Sequence, residues 1–142
     1  MSALGAHKVA GEHQRSIRLL THAAATATES RAVFFAVADA VTLTGAWFVP
    51  DAAITGDNSN TTYLNLIDAG TAGVGSTEIA HRDFTLGVDG VAYDAKSLLT
   101  GALTTFTRYD LAAGAVVKLE FEKVGSGVET NAGLFVITYE PR

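Results

Sequence analysis

A chain of 142 residues with a formal net charge of −5 has room for one hydrophobic core, since division into two would leave each half marginal. Its 18% charged residues fall short of the roughly 25% of an average soluble domain, which fits a surface that packs against its own copies or a larger body. Disulfides and thiolate metal sites are excluded by the absence of cysteine. A nucleic-acid footprint is excluded by charge, because residues 1–31 sum to only +2 while the remainder holds −7.

In chain order, residues 1–13 are small and polar with no sustained period and read as an arm, without the charged-then-apolar pattern of a secretory leader. Gln14 to Ser30 fits a strand through Ile17, Leu19 and Leu20 or a helix through Ala23 to Ala25; a strand followed by a loop is the reading taken. Residues 1–30 are thus expected as an N-terminal arm and 31–142 as the folded domain. The run Ala32 to Ala38 carries apolar residues at both parities, as a central strand covered on both faces would. With Asp39 breaking it, this stretch is also about half the roughly 20 residues that cross a bilayer, so a membrane partner is not expected.

From Val41 to Val49, alternation places Val41, Leu43, Trp47 and Val49 on one face and predicts Trp47 in the core. Gly56-Asp57-Asn58-Ser59-Asn60 is a cluster of turn formers. Beyond it Leu64 and Leu66 share a strand face, Gly70 to Gly75 marks a second turn, and Ile79 and Phe84 mark a further strand. Val116 to Lys123 alternates Val117, Leu119 and Phe121 with Lys118, Glu120 and Glu122, a strand with one wet face. A last strand runs from Leu134 to Tyr139. Short strands separated by turn signals predict an all-β fold, an antiparallel β-sandwich (jelly-roll-like) in a single domain with an extended N-terminal arm.

The chemistry is thin. No HExxH, GxSxG, GxxxxGK[ST] or GxGxxG occurs, and Gly70 to Gly75 spells its glycines in the order of a turn, not of a phosphate cradle. His7, His13 and His22 lie in the head and His81 stands by itself, so no catalytic residue, metal site or cofactor is assigned. Asp57, Asn58 and Asn60 offer oxygen ligands for calcium, although Asx-rich turns use the same residues. Trp47, Tyr63, Tyr93 and Tyr109 are the aromatic candidates for stacking on a sugar, with Trp47 discounted as core.

From Trp47 onward the chain resembles the small head decoration proteins, also called minor capsid or auxiliary proteins, of tailed bacteriophages of actinobacteria. The resemblance lies in Trp47 to Gly56, Leu64 to Gly70, Ala92 to Lys96, Leu111 to Gly114, the charged alternating strand, Gly125 to Gly127 and the final strand; Ala115 departs from the acidic residue expected there. It implies a sandwich that forms a homotrimer, binds the major capsid protein on the outer surface of the virion head and stabilises the shell, assembling in the host cytoplasm without turning over a substrate. Lys8, Arg15 and Arg18 in the basic head are then the candidate capsid contacts. A second reading of the same fold is an adhesin or fibre module for a cell-surface glycan. An enzyme would rest on scattered groups such as His81 and Asp94.

Overall fold

Alternation of apolar and polar side chains decides which face of each strand turns inward, and the computed structural model shows where that rule holds and where it breaks. It describes residues 11–21, 27–98, 108–130 and 132–142. Within them lie nine strands: β1 (His13–Leu19), β2 (Glu29–Phe35), β3 (Val41–Pro50), β4 (Thr62–Gly70), β5 (Thr77–Asp83), β6 (Lys96–Ser97), β7 (Tyr109–Leu111), β8 (Val116–Lys123) and β9 (Gly133–Pro141). Among the described residues there is no helix.

Two antiparallel sheets pack face to face. One runs β1-β9-β3, with β6 and β7 both paired to β3; the other runs β2-β8-β4-β5. Because β6 pairs at Trp47 and Phe48 and β7 at Val41 to Leu43, the two share one strand position beside β3. Counted so, eight strand positions pass between the sheets as two wound Greek keys, the jelly roll expected from the sequence.

The space between the sheets is filled by Phe48, Phe84, Phe121 and Phe135 with Leu64, Leu66, Leu119 and Ile137, all essentially inaccessible to water. Burying each such side chain contributes about 1.5–3 kcal/mol. In β8, Val117, Leu119 and Phe121 point in and Lys118, Glu120 and Glu122 point out, as the alternation predicts.

Two strands depart from their predicted roles. The apolar run at Ala32 is an edge strand and not a central one: a bulge between Ala32 and Phe34 turns the consecutive Val33 and Phe34 both inward and leaves Phe35 53% and Val37 72% exposed. In β3 a register shift between Leu43 and Gly45 reverses the facing of everything beyond it. Val41 and Leu43 are buried as predicted, but past the bulge Ala46 and Phe48 take the inward positions. Trp47 and Val49 therefore stand half-buried on the outer face of the sheet, and Trp47 is not a core residue.

Part of the expected arm is built into the sandwich. His13 to Leu19 pairs along its whole length with β9, because Ile17 and Leu19 reach the core. Both β1 and β2 are edges, as is β5 across the second sheet. Each of these edges carries an arginine at an inward position. Arg15 lies opposite buried Ile137, Arg31 opposite buried Leu119 with its guanidinium 5.5 Å from the Phe121 ring centroid, and Arg82 opposite buried Leu64, 6.0 Å from Phe84. The alkyl stems cover the core while the charged heads obstruct a further strand, so edge-to-edge growth is disfavoured. Burial lowers the pKa of Arg82, whose Nη1 donates to the Ser97 carbonyl at 3.3 Å.

Candidate functional site

With the edges guarded, the ends and outer faces remain for interaction, and the two ends differ. Leu19, Pro50 and Gly133 meet in one sheet and Thr62, Lys123 and Asp83 lie together in the other, so the ends of β1, β3, β5 and β8 and the described residues that follow them, 51–61, 84–95 and 124–130 among them, gather at one end. At the opposite end lie 36–40, 71–76 and 112–115.

The 51–61 connection is the hub of the first end. Asp57 Oδ1 accepts the amides of Ser59 and Asn60, both at 2.7 Å, and so closes the turn. Asn58 Oδ1 accepts the Leu86 amide at 2.8 Å and Asn60 Oδ1 the Ser126 amide at 2.9 Å, reaching two other loops. In return Asp89 Oδ1 accepts the Gly56 amide at 2.7 Å. Main-chain bonds add Ile54 to Gly90 in both directions at 2.8 Å and Asp51 to Ala132 at 2.8 Å. These side-chain oxygens, which the sequence also suits to calcium, are thus engaged as acceptors of backbone N–H groups. The fixed loops lose little further entropy when they meet a partner.

Beneath the hub sits Lys123, the inward residue that ends β8. Its Nζ donates to Thr62 Oγ1 at 3.0 Å and to the Val128 carbonyl at 3.1 Å, and desolvation lowers its pKa. Above, this end displays Leu20, Leu86, Val91, Tyr93 and Val124 to solvent. Tyr93 is 79% exposed although its φ is 62°, a conformation that side chains rarely adopt. The bond from its amide to the Pro50 carbonyl at 2.8 Å helps hold it there. Backbone strain of this kind costs on the order of 1–3 kcal/mol and persists only where the surroundings hold it.

The sequence-predicted contacts are dispersed. Arg18 lies at the loop end, paired with Asp51. Arg15 lines a small cleft of about 130 Å³ between the β1 and β2 edges, with Phe34, Phe35, Asp39 and Tyr139. Lys8 lies outside the described residues, as do His7 and His22, whereas His13 stacks on Tyr139 at 5.6 Å. On the outer face of the second sheet a shallow depression of about 410 Å³ is lined by Tyr63, Asn65, Glu78, His81, Asp83 and Glu122. There His81 Nδ1 meets Glu78 Oε1 at 2.6 Å, and Asn65 Nδ2 donates to Glu120 at 3.1 Å and Glu122 at 2.6 Å. Asp94 belongs elsewhere, in the loop before β6, and is bonded to Lys96 at 2.7 Å. His81 and Asp94 therefore have separate partners. The hub and the outward Trp47 escape sequence reasoning, although the density of Asp and Asn at 57–60 signals the former.

No protein-family model matches the chain, and no curated protein matches it either. Two solved structures from infectious bursal disease virus align with the chain. The Gx strain structure aligns at a TM-score of 0.41 with 12% identity over 92% of this chain, and the VP2 subviral particle at 0.41 with 13% identity over 92%. The chain spans about one third of the length of each, 32% and 33%.

Proposed function

We propose that this chain is a bacteriophage head decoration protein that seats its interlocked loop end on the outer surface of an assembled capsid, as a homotrimer, and stabilises the shell. The observation that carries the reading is the loop end itself: three connections tied into one body that, with Leu20 beside it, presents Leu86, Val91 and Tyr93 to solvent. Three of the segments that resemble decoration proteins, Trp47 to Gly56, Ala92 to Lys96 and Gly125 to Gly127, converge on this end. In this reading the work is binding, not catalysis, since the interior is packed with phenylalanine and leucine. Arg18 sits at the rim of the seat, and Arg15 and Lys8 are the remaining contact candidates toward the major capsid protein. Three seats on one trimer raise the effective concentration, so modest contacts suffice.

Co-sedimentation with undecorated capsids of the parent phage tests this. Wild-type protein pellets with the shells, and the double variant Leu86→Ser with Tyr93→Ala loses binding by about tenfold or more, as expected for central apolar anchors. Wild-type protein left in the supernatant overturns the proposal.

A further inference from the structure

The large apolar side chains exposed among the described residues fall into two groups. Leu20, Leu86, Val91, Tyr93 and Val124 belong to the loop end, whereas Phe35, Val37 and Val74 lie at the opposite end and have no part in the seat. The last three do not form one patch. Phe35 ends β2 and Val37 follows it, at one edge of the second sheet, while Val74 stands 85% exposed in the turn between β4 and β5, at the other edge. The register puts both at one level: Phe35 lies opposite Val116, and Val116 opposite Gly70, where that turn begins. Three strand spacings, about 14 Å, separate the two edges.

One edge is concave there and the other convex. Phe35 and Val37 line the cleft of about 130 Å³ together with Phe34, Tyr139, Arg15 and Asp39. That is well below the roughly 300–1,000 Å³ of small-molecule sites, and it leaves room for one aliphatic side chain. The charges of Arg15 and Asp39 cancel. The 71–76 turn, Thr-Ala-Gly-Val-Gly-Ser, carries no charge, and the carboxylates that flank it, Asp68 and Glu78, are bonded to Tyr109 and His81. Bonds at 2.8 Å from the Gly75 amide to the Ala69 carbonyl and from the Gly70 amide to Asp68 Oδ1 close the turn on itself and support Val74.

We infer that the cleft receives Val74 of a second copy of this chain, and that this head-to-tail contact joins the subunits. Cleft and turn sit on opposite edges at one level, as a contact between two different patches requires if rotation is to close it into a ring. In a ring of three, every copy uses both patches, so two contacts hold each copy and each can be modest. A charge content of 18% fits edges covered in this way. A side chain enters the cleft and no strands pair, so the arginines at the edges keep their guarding role. The contact rests on the trimer proposed above for its number of copies.

The chain has no cysteine, so introduced thiols report this contact alone. Full-length protein carrying Val37→Cys and Val74→Cys together is oxidised in the absence of capsids and run on a non-reducing gel. Covalent trimers are expected from it, covalent dimers from a mixture of the two single variants, and monomers from either single variant by itself. In light scattering wild type is a trimer, and Val74→Asp, with an unchanged circular dichroism spectrum, raises the concentration for half-assembly by about tenfold or more. Dimers from Val37→Cys by itself would mean that two clefts meet about a dyad, which overturns the inference. A trimeric wild type whose double variant does not cross-link also overturns it and leaves the capsid seat standing. A monomeric wild type that pellets with capsids removes the trimer and this contact together and keeps the seat.

Discussion

The two ends of this sandwich close the same pair of sheets by different means. At the end of the 51–61 hub, Asp57, Asn58, Asn60 and Asp89 place side-chain oxygens on amides of their own or neighbouring loops, and Lys123 supports them from below. At the other end Ala36 bonds through main chain to Gly114 and Ala115, the 71–76 turn closes on itself through the Gly75 amide and the Ala69 carbonyl, and Tyr109 Oη donates to Asp68 at 2.8 Å. Short turns suffice to reverse a strand, so the topology alone does not require three long loops capped against one another.

The comparison is broken most forcefully by glycine. Gly125 and Gly73 both have left-handed φ, 63° and 75°, but a Cβ at Gly125 would come within 2.7 Å of Asn60 Oδ1 and closer still to the Ser59 carbonyl, whereas nothing lies within 4 Å at Gly73. Gly125→Ala is expected to cost about 3 kcal/mol, from backbone strain plus overpacking. Gly73→Ala should cost about 1 kcal/mol, from strain alone. Urea unfolding of the two variants measures both, and equal losses would mean that the ends are built alike.

A smaller effect sharpens the contrast with pH, because the two ends titrate in opposite senses. Lys123 has a folded pKa below its ordinary 10.5, so the penalty for its buried charge is full below the folded value and disappears as pH climbs to 10.5. Over that window wild type should gain stability relative to Lys123→Met. Tyr109 is pushed up to about 12 from 10.0, by burial first and then by its bond to Asp68. Its contribution is complete below pH 10 and is lost as pH rises toward 12, so there wild type should fall relative to Tyr109→Phe. Thermal unfolding midpoints across this range test both signs.

Legibility in the sequence followed the regularity of each segment. β8 could be read to the residue because every second side chain is charged and no bulge interrupts it. β3 could not be read beyond Leu43, since one extra residue at the bulge reverses the facing, and a Trp-Phe pair gives no sign of which member turns in. The run at Ala32 misled for the same reason, its own bulge turning two neighbours inward at an edge. The Asp and Asn cluster at 57–60 announced a turn, but its role as a hub depends on Leu86, Asp89 and Ser126, far away in the chain. Local pattern cannot supply such partners. The outward facing of Trp47 became visible only with the register.

Amide hydrogen exchange on the free protein tests the interlocked loop end most directly. The amides of Gly56, Leu86 and Ser126 should exchange nearly as slowly as those of the strands, and far more slowly than the Thr71 to Val74 turn at the other end, with Asn58→Ala accelerating Leu86 and Asn60→Ala accelerating Ser126. Exchange at Gly56, Leu86 and Ser126 as fast as in the 71–74 turn would contradict an interlocked loop end.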